Sequence, residues 1–128
     1  MNRTNRIAPA RHLGALFVAL LASAAMISPT LASAHETIVA KQPGRKAKTS
    51  LRQVSLTFNT PIRGGTLKVY GPRGKASKGR GGRDPRNYSR LRAVMKRGLA
   101  PGKYTAKAVW TAADGHRQRK SFTFRLVR

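Results

Sequence analysis

Two of the chain's three histidines are placed to do chemistry. His35 follows Ala32-Ser33-Ala34, and His116 closes the tripeptide Asp114-Gly115-His116. If the chain is cut after Ala34, His35 becomes an N-terminus with a free amine. That amine and the imidazole Nδ1 can then grip one metal ion in a six-membered chelate, which an internal histidine cannot form. Asp114-Gly115 taken alone is an ordinary turn dipeptide with His116 as an exposed passenger. Its glycine can also let the backbone fold a carboxylate and an imidazole toward one point. Joined to the amine and imidazole of His35, they make three nitrogens and one oxygen. Such donors in a tetragonal arrangement suit Cu(II), which the Irving–Williams order favours at almost any site of this kind, with zinc the weaker competitor.

The leader decides whether that amine is ever free. Residues 1–34 carry Arg3, Arg6 and Arg11, then an apolar run from Leu13 to Ile27, then the small-residue exit that ends at Ala34. This is the three-part layout of a signal peptide. The apolar run of about 15 residues falls short of the roughly 20 that span a bilayer as a helix, and Pro29 follows it. Cleavage after Ala34 is therefore expected, with a periplasmic product and no stable membrane insertion afterwards. The product, residues 35–128, is one small domain of 94 residues, too short for two independent cores. The absence of cysteine excludes a disulfide framework, a lipid-attachment cysteine and a thiolate metal site.

Charge is the other large fact. The chain holds 27 Lys+Arg against three acidic residues. Three of those arginines lie in the leader, so 24 cations face Glu36, Asp84 and Asp114, a net charge of +21 after cleavage. Such a field attracts polyanions. Basic residues are densest from Arg73 to Arg83, a glycine-rich stretch without apolar periodicity that reads as a solvated flexible loop. It lacks interleaved aromatics on which bases could stack, Tyr88 downstream apart. Anionic polymers are candidate nonspecific partners, and no specific nucleic acid is expected.

The elements that must position the histidines read as strands throughout. A strand begins at Thr37-Ile38-Val39 and ends at Pro43-Gly44. From Gln53 to Phe58 polar and apolar residues alternate, which puts Val54, Leu56 and Phe58 on one face. Thr66 to Tyr70 repeats the pattern before a Gly71-Pro72-Arg73-Gly74 turn. Tyr88 to Val94 is a further strand, although Leu91 to Met95 also fits a helical turn. Tyr104, Ala106, Ala108 and Trp110 share one side of the next, and Phe122, Phe124 and Leu126 one side of the last. These two flank Asp114-Gly115-His116 as a hairpin. The spacing predicts an all-β, immunoglobulin-like Greek-key β-sandwich of about seven strands.

In order along the chain stand a signal, His35, Val54-Ser55-Leu56-Thr57-Phe58-Asn59-Thr60-Pro61, Leu99-Ala100-Pro101-Gly102-Lys103-Tyr104, Trp110, Asp114-Gly115-His116 and Phe122-Thr123-Phe124. This order resembles the CopC family of periplasmic copper-binding proteins over essentially the whole mature chain. The resemblance implies a small β-sandwich that holds one Cu(II) per chain in copper homeostasis or resistance, with His35, Asp114 and His116 at the ligand positions. It also makes an inner-membrane copper transport protein a candidate partner. Two departures stand out. Thr60 occupies a segment where the family often has a glutamate. Many members carry a methionine-rich loop for Cu(I), whereas Met95 is the only methionine after the leader and reads as core or loop filling. Trp110 reads as core, and Glu36 as a solvated side chain.

The reading that follows is a copper carrier or buffer without turnover and without catalytic residues. A secreted polycation that binds anionic polymers or surfaces is the alternative. A copper monooxygenase ranks lower, because Asp114 as an equatorial ligand would occupy a position that oxygen needs.

Overall fold

A computed structural model of the chain describes residues 36–128. The leader and His35 lie outside the described residues. In chain order the strands are β1 (Ile38–Gln42), β2 (Lys46–Lys48), β3 (Gln53–Phe58), β4 (Gly64–Gly71), β5 (Gly74–Lys75), β6 (Gly82–Asp84), β7 (Asn87–Val94), β8 (Gly102–Thr111) and β9 (Arg117–Val127). They form a four-stranded sheet, β1-β3-β7-β6, and a five-stranded sheet, β2-β9-β8-β4-β5. The expected all-β sandwich is the fold.

Alternation explains which faces meet. Val54, Leu56 and Phe58 of β3, Tyr104, Ala106, Ala108 and Trp110 of β8, and Phe122, Phe124 and Leu126 of β9 are all buried. They join Leu67, Val69, Leu91, Ala93 and Met95 in one core. Burial of each large member contributes about 1.5–3 kcal/mol. Alanines on β8 leave room for the rings opposite, where Tyr104 stacks on Phe124 at 5.7 Å and Phe58 meets Trp110 at 4.7 Å. At the far end of β8 the Tyr104 hydroxyl donates to the Ala100 carbonyl at 2.6 Å, which ties down the Leu99-Ala100-Pro101-Gly102 turn.

The strand expected from Tyr88 to Val94 is β7, which pairs with β3 from Gln53↔Val94 to Thr57↔Arg90, so the alternative helical turn at Leu91 to Met95 does not form. Two readings change. Nine strands form rather than about seven; the extra ones are two or three residues long, and β2 runs parallel to β9. The basic glycine-rich stretch is not a free loop. Its residues 76–80 cross the rim between the sheets: Ala76 N–H bonds to Val69 O, Leu67 N–H to Arg80 O, and Lys78 N–H to Val94 O. Ser77 is fully buried, and its Oγ accepts from Val69 N–H at 2.9 Å. Backbone groups, which no residue pattern reveals, hold this segment.

Candidate metal centre

The β8–β9 hairpin closes in a compact turn. Thr111↔Arg117 is its last strand pair, after which Ala112 N–H bonds to His116 O at 2.8 Å and Gly115 N–H to Ala112 O at 2.9 Å. Gly115 has φ +91°, the left-handed conformation that lets a tight turn re-enter a strand.

Asp114 then wraps around His116. One carboxylate oxygen accepts the His116 backbone N–H at 2.9 Å, and the other lies 2.8 Å from imidazole Nδ1. In the neutral ring this bond sets the proton on Nδ1 and leaves the Nε2 lone pair free, the carboxylate–histidine arrangement common at metal sites. The pair is open to solvent, with side-chain exposures of 75% for His116 and 43% for Asp114. Its charges reinforce each other. Hydrogen bonding to Asp114 and its negative charge raise the His116 pKa above the usual imidazole value. The His116 side-chain and backbone bonds, helped by the Arg63 charge, lower that of Asp114.

The turn is held from two sides. Arg63 donates from Nε to Ala113 O at 2.9 Å, and its backbone N–H bonds to Thr111 O. On the other side stands Glu36. One of its carboxylate oxygens accepts Trp110 Nε1–H at 3.1 Å and the other accepts Ala113 N–H at 2.8 Å. Thr37 is in turn bound to Asn59 through its N–H, at 2.9 Å from Asn59 Oδ1, and through its carbonyl, which accepts Asn59 N–H. The start of the described chain is thus clamped to the turn that bears Asp114 and His116.

Sequence reasoning paired Asp114 with His116, and the fold brings them together. It treated Glu36 as solvated, whereas Glu36 is half-buried and doubly bonded. It did not single out Arg63. Trp110 and Met95 lie in the core, as expected. Among the described residues no group of three His, Cys, Asp or Glu side chains converges on one point. His35, the remaining residue that the sequence singled out, lies outside them.

The fold and this turn define a small β-sandwich with a histidine–carboxylate pair at one end. Residues 38–127 match the CopC domain model, and the chain belongs to the CopC family. Among solved structures it resembles CopC from Methylosinus trichosporium OB3b, with 20% identity, a TM-score of 0.57, and coverage of 72% of this chain and 93% of that one. It also resembles PcoC, a methionine rich copper resistance protein from Escherichia coli, with 14% identity, a TM-score of 0.59, and coverage of 73% and 100%. No curated protein matches it in sequence.

Proposed function

We propose that this chain is a periplasmic Cu(II)-binding protein of copper homeostasis or resistance. In this reading it holds one Cu(II) through the amine and imidazole of His35, the imidazole of His116 and a carboxylate oxygen of Asp114. The observation that carries the proposal is the double hydrogen bond of Glu36. Consecutive Cα atoms lie 3.8 Å apart, so a residue one peptide link from Glu36 starts within reach of the turn to which Glu36 is tied. The free Nε2 of His116 and the copper resistance role of the relative PcoC support the same assignment. Each oxygen of Asp114 keeps a second lone pair, so this carboxylate can orient His116 and still coordinate.

The protein acts as a carrier or buffer, with copper as cargo and an inner-membrane copper transport protein as the recipient. Intact mass and N-terminal sequencing of the exported protein, with and without Cu(II), test the cleavage and the stoichiometry together. A start at His35 and a mass gain of one copper are expected. The decisive variant adds one alanine in front of His35. It leaves net charge unchanged but turns the chelating amine into an amide, which coordinates strongly only after losing its proton. A large loss of affinity or an altered Cu(II) absorption band is expected. An extended protein that binds one Cu(II) as tightly, with the same spectrum, would sink the chelate. His116→Ala should weaken binding while the amine–imidazole unit keeps part of it. Reductant-dependent peroxide production by the copper-loaded protein would favour a monooxygenase instead.

A further inference from the structure

The outer face of the five-stranded sheet carries a charge pattern that the copper site does not explain. Register places Lys46, Arg125 and Lys103 side by side across β2, β9 and β8, and Lys68 beside Lys107 across β4 and β8. Arg119 extends the patch toward the hairpin turn. Lys68, Lys103, Lys107 and Arg125 each stand next to a core residue of their strand, and Ala47 beside Lys46 packs against the core, so these five point outward; strand alternation puts the exposed Arg119 on the same side. Like charges placed directly opposite in a sheet destabilise it. A fold optimised for stability alone would alternate their sign.

No acidic side chain relieves them. The chain's three acidic residues are all engaged elsewhere: Glu36 with Trp110 and Ala113, Asp84 with Arg86 N–H and Arg90, and Asp114 with His116. The opposite sheet differs in kind. There Arg83 stacks over Tyr88 at 4.1 Å and donates to Ile62 O, while Arg90 lies 3.8 Å from Asp84. The opposite sheet stacks Arg83 and pairs Arg90 in this way, whereas of the six cations here only Lys107 has such a contact, over Tyr70.

We propose that this face docks on an anionic phospholipid bilayer. The cations spread in two dimensions over strands spaced about 4.8 Å apart, which suits a plane of headgroups rather than a single polymer strand. A single-strand nucleic-acid reader would need a stacking platform. This face offers one ring, Tyr70, and Lys107 Nζ already sits 5.2 Å over it. Exposed large apolar side chains on the face, among the described residues, are Tyr70 and Val127, so adsorption is electrostatic and reversible without insertion. The sheet then lies against the membrane while the β8–β9 turn stays at its edge, open to a protein in the same membrane. This inference rests on export and not on copper, and it is tested without copper.

The test is sedimentation of the exported protein with vesicles of phosphatidylcholine, with or without 30 mol% phosphatidylglycerol. Each basic residue near such a surface is worth roughly fivefold in binding, so Lys107→Glu with Arg125→Glu should lose at least tenfold. Arg86→Glu with Arg92→Glu, the same charge change away from this face, should lose much less. Arg125→Glu sets a carboxylate between Lys46 and Lys103, so thermal stability should hold or rise while binding falls. The neutral pair Lys107→Gln with Arg125→Gln should give an intermediate loss. Binding should also fall steeply between low and high salt. Equal losses in the two charge-reversed pairs would overturn the proposal in favour of diffuse charge. Equal binding to both vesicle types would overturn it as well. So would duplex DNA that displaces the vesicles at equal phosphate concentration, which would make the face a nucleic-acid surface.

Discussion

Residues 76–82 and residues 112–116 are both glycine-bearing connections without apolar periodicity, and they are held by opposite means. In the first, main-chain groups bond to β4 and β7, strands of different sheets, and Ser77 is buried between them. In the second, side chains do most of the holding: Glu36 and Arg63 clamp Ala113, and Asp114 folds around His116. The first seam ties the sandwich together and tolerates little change. The second is a rim feature whose side chains can be exchanged while the sheets stay in place, so it is where a ligand set can be built.

The largest effect should come from the seam. Gly81 has φ +63°, and a Cβ there would lie 2.4 Å from Leu67 O and 2.8 Å from Arg92 O, both backbone atoms. Gly81→Ala should cost about 2–5 kcal/mol, the sum of a left-handed alanine and overpacking, read by urea or thermal unfolding. The folded fraction should bind Cu(II) as the parent does. A cost below about 1 kcal/mol would show that the seam is slack.

Glu36→Ala comes next. It leaves Trp110 Nε1–H and Ala113 N–H without their acceptor, at a cost of about 1–3 kcal/mol. Copper affinity should fall about 10–100-fold, as when other groups that orient ligands are lost. Calorimetric titration that returned the parent affinity would cut the link between Glu36 and the metal.

The Asp114–His116 pair makes a pH prediction. The carboxylate favours the imidazolium, so His116 should titrate above the ordinary value of about 6.5. Copper competes with that proton, and binding should therefore weaken as pH falls through the raised value. Imidazole NMR of the metal-free protein should show the midpoint moving back toward about 6.5 in Asp114→Asn. No movement would mean that the pair is not formed in solution.

The smallest effect belongs to Gly115→Ala. Gly115 also has positive φ, +91°, but the nearest atom to an added Cβ is Arg63 Nη1 at 3.6 Å, an ordinary contact. A cost of about 1 kcal/mol is expected from backbone conformation alone. A penalty equal to that of Gly81→Ala would erase the distinction between seam and rim.

Residue order showed the long strands because their side chains alternate between core and solvent. Val54, Leu56 and Phe58, or Phe122, Phe124 and Leu126, announce a buried face before any partner is known. β2, β5 and β6 are too short for a period to show. The seam was misread because its bonds are made by the backbone, while its side chains spell a soluble loop. Asp114 and His116 were legible because they are two residues apart. Glu36 was not, since its partners Trp110 and Ala113 lie 74 and 77 residues away. Arg63 reaches Ala113 across 50 residues, and nothing local marks it.

Trp110 is the only tryptophan in the chain, and its indole N–H is spent on the carboxylate that anchors the first strand to the hairpin turn. The protein thus carries its own optical gauge. While the strand is docked, the indole is 4% exposed against Phe58, and its ultraviolet emission should be blue-shifted. Undocking would break the bond to Glu36 and let water reach the ring, with a red shift that precedes unfolding of the sheets. A paramagnetic ion settling beside the turn would dim the same emission. The colour and brightness of one residue could therefore separate an opened strand from a filled site, without a label.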